Sequence, residues 1–337
     1  MKRDIGYILF SMLMAAVVLT GCGGSDVVED DNNVDAPKPL ATSKEEIRVN
    51  TNVTSMMTRA TTIDSNSGLQ GYDLKIDAYY NGTDTKFLDG TKLHYNGGDP
   101  AWVFWDGSAQ LHYYWPFEGS KTAGGATAST LDFVSYCPYT NPAYITPEDY
   151  DHTTGASFSC DVSSYMTNTA QASMQEYLIA VLNEQTLATQ TAAGGELPLT
   201  FKHPFALIKF VIAEGSGEHV QINSISIADL YTTATCTYNG STMTWGSHSG
   251  SAAMSQTGLN LKYGTASTET TPFMVIPNNY GPKTLTVNGT WDDWSDVTKD
   301  ISTDVDFNWQ PGYIYIYTLT VTKYALKVDI SKFTEQW

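Results

Sequence analysis

Short stretches in which apolar and polar residues alternate recur from residue 45 almost to the end of the chain. Ile47, Val49 and Val53 are interleaved with Arg48, Asn50 and Asn52, and this period of two predicts a strand with one buried face within residues 45–58. Leu74, Ile76, Ala78 and Tyr80 repeat the pattern. Residues 101–105 and 110–115 predict a hairpin around Asp106-Gly107. Residues 131–136 follow a Gly/Ala/Thr loop, and the continuous apolar run within residues 176–182 reads as a central strand. No long helical period interrupts this half, although residues 163–173 have room for a short helix.

Ala192-Ala193-Gly194-Gly195 lies inside residues 189–196, which read as a domain junction. A second strand series opens at residues 197–212. It continues through 220–227, 232–238, 243–245, 259–263, 272–276, 283–291, 301–307, 313–321 and 326–330. Many short strands punctuated by Gly, Asn and Pro predict an all-β protein with two sandwiches in tandem. The expected domains are residues 60–196 and 197–337.

Composition agrees with that reading. Tyr, Thr, Val and Ile are abundant, as in β proteins. The formal net charge of −18 opposes nucleic-acid binding, because phosphates would be repelled. Cys137, Cys160 and Cys236 are scattered, without a C-x-x-C spacing. Three buried free thiols are the favoured reading; the alternative is a Cys137–Cys160 pair, since both fall within one expected domain. Without clustered Cys and His, zinc is not expected.

The N-terminus has its own organisation. A basic start, Met1-Lys2-Arg3, precedes an apolar run over residues 5–19, which ends in Leu19-Thr20-Gly21-Cys22. The run is shorter than the roughly 20 residues a spanning helix needs, and it reads as a signal peptide over residues 1–21. Leu-x-Gly-Cys resembles the lipobox of bacterial lipoproteins, which implies cleavage before Cys22 and a lipid on its thiol. Residues 23–44 are acidic and then Pro-rich, and read as a linker. Their acidic start resembles surface-export signals of some Gram-negative lipoproteins.

Several segments, taken in order, resemble the fimbrillin family, the pilin lipoproteins of type V pili. They are Tyr113-Tyr114-Trp115-Pro116, Leu131-Asp132-Phe133 with Pro138, Leu197-Pro198-Leu199-Thr200-Phe201-Lys202-His203, and Pro311-Gly312-Tyr313 leading into Tyr315–Val321. The resemblance implies two transthyretin-like β-sandwiches and an outer-membrane lipoprotein precursor. It also implies an arginine-specific protease that removes an N-terminal strand. A strand of another pilin subunit then fills the vacated groove, so that subunits polymerise into a fimbria that contributes to adhesion. A host protein or glycan receptor is a further expected partner.

Two features of this chain fit that scheme. Its only arginines are Arg3, Arg48 and Arg59, so a protease specific for arginine would cut within residues 22–59 and leave both domains whole. Arg59 is the favoured site because Thr58, Ala60 and Thr61 surround it; Arg48, inside the predicted strand, is the alternative. Ile47, Val49 and Val53 then mark the removable strand. In the tail, Leu326, Val328 and Ile330 alternate with Lys327 and Asp329, with Phe333 and Trp337 beyond. That spacing suits either a donor strand or an ordinary last strand of the second domain.

Gly246-Ser247-His248-Ser249-Gly250 has His where a nucleophile elbow needs Ser, and neither H-E-x-x-H nor a phosphate loop occurs. Residues 148–152 gather acidic groups and His152 but lack an EF-hand spacing, and read as a solvated loop. Asp292-Asp293, between Trp291 and Trp294, reads as a polar turn flanked by core Trp, with a sugar site as the alternative. His203 is expected to be structural. Neither enzymatic activity, cofactor nor metal is expected. The competing function is a monomeric surface glycan-binding lipoprotein that uses exposed Trp and Tyr.

Overall fold

The computed structural model describes residues 42–53, 65–116, 130–213, 216, 219–265, 268–291, 297–322 and 324–333. The first strands are β1 (Thr42–Glu46), β2 (Val49–Val53), β3 (Leu74–Tyr80), β4 (Lys86–Tyr95), β5 (Trp102–Trp105) and β6 (Gln110–Leu111). There follow β7 (Tyr114–Pro116), β8 (Leu131–Cys137), β9 (Ile145–Pro147), β10 (Ala156–Asp161), β11 (Leu178–Gln185) and β12 (Leu197–Phe201). The remainder are β13 (Ala206–Ile212), β14 (Val220–Leu230), β15 (Thr233–Tyr238), β16 (Met243–Ser249) and β17 (Ala252–Lys262). The last five are β18 (Phe273–Val275), β19 (Asn279–Trp291), β20 (Val297–Asn308), β21 (Ile314–Val321) and β22 (Leu326–Phe333). Short helices α1 (Asn66–Leu69), α2 (Asn168–Gln171) and α3 (Leu187–Ala192) sit between strands.

The largest sheet runs β11-β8-β3-β4-β5-β2-β12, with β6 paired to β5. It bends back on itself: Ile179 and Lys202 exchange both backbone hydrogen bonds, at 3.1 and 2.8 Å, and tie the end of β12 to β11. Its inner face encloses one core, built from Val49, Leu74, Ile76, Leu93, Trp102, Phe133, Leu199 and Phe201 among others. Strand β8 is buried throughout. Its Leu131, Phe133 and Cys137 enter that inner core, while Val134 and Tyr136 on the opposite face join a second core.

The second core lies under three further sheets, β16-β15-β10-β9, β18-β13-β21-β22 and β17-β14-β19-β20. Along β19 the burial alternates strictly from Leu285 to Trp291, as expected for a strand with one wet face. The wet face of β19 and β20 carries polar cross-strand pairs, Thr286 with Ser302 and Asn288 with Asp300.

Several sequence expectations meet their outcome here. The hairpin at Asp106-Gly107 forms, with Phe104 opposite Leu111 and Trp105 opposite Gln110. The helix expected within residues 163–173 is α2, preceded by a 3-10 turn. The single strand expected within residues 45–58 is instead two strands, broken at Ile47-Arg48 where the chain leaves β7 and joins β12. The end of the expected linker is structured, because β1 begins at Thr42. The expected boundary between residues 196 and 197 is crossed by two sheets. β12 belongs to the first sheet, and β15 pairs along the whole of β10. Alternation marks a strand's buried face, not the sheet it joins.

All three described cysteines are free and buried. Cys137 faces the inner core and Cys160 the other, so these two do not pair. Burial pushes the Cys160 thiol up to about 12, and raises Cys137 and Cys236 well above the usual thiol range.

Candidate functional site: the groove filled by the N-terminal strands

The N-terminal segment is part of the first core. Ile47, Val49, Thr51 and Val53 are all buried, while Asn50 and Asn52 face outward. β2 lies between β12 and β5. It runs parallel to β12 in unbroken register from Val49↔Leu197 to Val53↔Phe201. On its other side only Val49↔Trp102 pairs with β5. β1 runs antiparallel to β7, with Glu46 opposite Tyr114.

Between these ladders the backbone is held by other groups. The Ile47 N–H donates to the Tyr113 carbonyl at 2.8 Å, and the Leu197 N–H donates to the Arg48 carbonyl at 2.8 Å. Gln190 supplies the rest from α3. Its Oε1 accepts from the Arg48 N–H at 3.0 Å, and its Nε2 donates to the Glu46 carbonyl at 2.9 Å. Helix α3 is fixed by a reciprocal cap, in which Thr186 and Thr189 each bond the other's backbone. At the far end, the Val53 N–H donates to Asn66 Oδ1 at 2.8 Å, and Ser65 caps α1.

Arg48 is only half exposed, near Glu46 at 3.8 Å and Asp99 at 3.9 Å. Such exposed pairs contribute little. Its backbone is the constrained part: both its N–H and its C=O are bonded, and it sits between buried Ile47 and Val49. A protease needs that backbone extended and free. Arg59 and Cys22 lie outside the described residues. The candidate tail residues are not brought to this groove. β22 forms the edge of the β18-β13-β21-β22 sheet, where Leu326 is buried, Val328 is half-buried and Ile330 is 47% exposed.

The remaining candidates make contacts within the fold. His203 and Glu176 are both buried, with Nδ1 and Oε1 2.7 Å apart. Asp151 accepts hydrogen bonds from the backbone N–H groups of Thr153 and Thr154, which ties down the acidic loop. Among the described residues, no group of three His, Cys, Asp or Glu is placed to hold a metal. Trp102, Trp115 and Trp291 are buried, so these are not available to stack on a sugar. Residues 292–296 lie outside the described residues. Sequence reasoning missed Gln190, Trp115 and Asn66 as parts of the groove. A Gln behind a Thr-x-x-Thr helix start carries no signal of what it will face.

Comparison with solved structures defines the class. A fimbrial protein from Bacteroides vulgatus is similar with a TM-score of 0.57 and 13% identity, over 86% of this chain and 99% of that one. A protein proposed to act in cell adhesion, from Bacteroides uniformis, is similar with a TM-score of 0.51 and 17% identity, over 86% of this chain and 98% of that one. At such identities the likeness is one of fold, and the fold is that of fimbrial proteins. No curated protein matches the chain. The family model described as fimbrillin-like matches residues 58–337, and the chain belongs to that family. β1 and β2 lie ahead of the matched region. Membership suggests a cell-surface location and association with other pilin subunits. No described helix is long and apolar enough to cross a membrane.

Proposed function

We propose that this chain is the precursor of a fimbrial subunit, exported as an outer-membrane lipoprotein through Cys22 and converted to a polymerising form by loss of its N-terminal strands. An arginine-specific protease cuts after Arg59, β1 and β2 leave, and a strand from another subunit takes their place in the growing fimbria.

The observation that supports this most is the insertion of β2 between β12 and β5, with Ile47, Val49 and Val53 in the core. A segment at the extreme N-terminus of the described chain is thus an internal strand of the main sheet. Its loss would leave the β12 edge unpaired and an apolar slot open. Unpaired strand edges bind added strands through backbone hydrogen bonds, and the slot sorts them by alternate side chains. The bonded backbone of Arg48 favours Arg59 as the first cut.

The test is limited digestion of the precursor with an arginine-specific protease, followed by N-terminal sequencing and electrophoresis without heating. The expected product begins at Ala60 and forms ladders. Arg59→Ala should block both, and Arg48→Ala should leave both intact. Ladders from uncut Arg59→Ala protein would overturn the reading.

A further inference from the structure

We propose that Gln190 is a backbone clamp for whichever strand occupies the groove, holding it through main-chain groups that any sequence without proline at position 48 supplies. This rests on the reading above, that β1 and β2 leave and another strand enters.

The geometry around Ile47 carries the argument. Here the chain has left the β1–β7 ladder and has not yet begun the β2–β12 ladder, and among the described residues no neighbouring strand pairs with Glu46 C=O and Arg48 N–H across from Ile47. Gln190 takes both. Its amide has one possible orientation. Trp115 Nε1, a donor only, points at Gln190 Oε1 from 3.1 Å. Oε1 therefore faces the two donors, Trp115 and the Arg48 N–H, and Nε2 is left for the Glu46 carbonyl. The side chain is 5% exposed, so water does not replace a missing partner.

This bracket is almost blind to sequence. Every residue carries a carbonyl, and every residue except proline carries the N–H needed at position 48. One apolar side chain must fall between the two bonded groups, in the Ile47 slot, with the next at Val49. A strand one residue out of step would turn its apolar side chains to the wrong face. Gln190 would meet the same kinds of backbone group in either register, so the side-chain slots choose the register and Gln190 holds the strand; proline at position 48 would cost Gln190 Oε1 one of its two donors. An entering strand therefore needs an apolar anchor followed by a residue other than proline.

The test uses protein cut with an arginine-specific protease and stripped of its N-terminal segment. A labelled synthetic peptide copying residues 42–53 is titrated back, beside a second peptide in which the Arg48 N–H is replaced by an ester oxygen. Wild-type protein should bind the ester peptide about ten-fold more weakly. Gln190→Leu should bind the ordinary peptide about ten-fold more weakly, and the ester peptide no more weakly than that. Equal affinity of wild-type protein for both peptides would overturn the proposal, a result that does not depend on how well Gln190→Leu folds. A further full loss for the ester peptide on Gln190→Leu would also overturn it, while leaving strand replacement intact. If stripped wild-type protein binds neither peptide, strand replacement fails and the role of Gln190 falls with it.

Discussion

Val49 stands opposite Leu197 at the start of a parallel ladder that runs unbroken to Val53 and Phe201. The two residues are far apart in sequence, yet both are fully buried in one core. Parallel partners cannot be joined by a tight turn, so this contact depends on the whole intervening domain being folded. The N-terminal segment is thus held by a contact that only the folded domain supplies, as the proposed withdrawal requires.

Truncating the anchor should loosen the segment selectively. Ile47→Ala is expected to destabilise the intact precursor by about 2–5 kcal/mol in denaturant unfolding. Once the N-terminal strands have been cut and removed, the variant and the wild type should unfold alike. An undiminished difference after removal would mean that the substitution acts elsewhere.

Thiol labelling should report the vacated groove. The thiolate is the reactive form, and burial holds all three described thiols in the neutral state. In the precursor none should react under native conditions. After removal of β1 and β2, Cys137 should become reactive, because it lines the same core as Val49 and Phe201. Cys160 and Cys236 belong to the other core and should stay silent. Uniform labelling of all three by mass spectrometry would indicate global loosening instead.

The tail is expected to matter for assembly more than for processing. β22 is an edge strand with Ile330 facing solvent. Deleting residues 326–337 should leave cleavage after Arg59 unchanged and abolish ladders on unheated gels. Normal ladders from the truncated protein would rule out the tail as donor.

Acid should weaken the precursor through Asp73. Burial pushes its carboxyl up, but hydrogen bonds from His94 at 2.7 Å and Lys92 at 2.9 Å outweigh this and hold it below the usual range. A carboxylate with a lowered folded pKa stabilises the protein above its unfolded value, about 3.9, and loses that contribution as pH falls through the folded pKa. Asp73→Asn should therefore lower the melting temperature at neutral pH, by a modest amount because the pair is part-exposed. The difference should vanish once the pH has fallen through the folded value, which lies below the usual carboxylate range. A gap that persists at low pH would assign the effect to packing.

Much of this protein was legible in one dimension. The period-two alternation of Ile47, Val49 and Val53 marked a strand with one buried face, the Asp106-Gly107 turn marked a hairpin, and the order of short motifs marked the family. These are local properties, set by pleat geometry and turn chemistry within a few residues. What alternation cannot encode is which sheet receives a strand. Leu197, Leu199 and Phe201 looked like the start of a second domain, and only the folded chain decided that they complete the first core beside β2. The break at Ile47-Arg48 and the choice of Gln190 to bridge it are likewise tertiary. They arise where two ladders end out of line and buried backbone groups must find a partner from a distant helix.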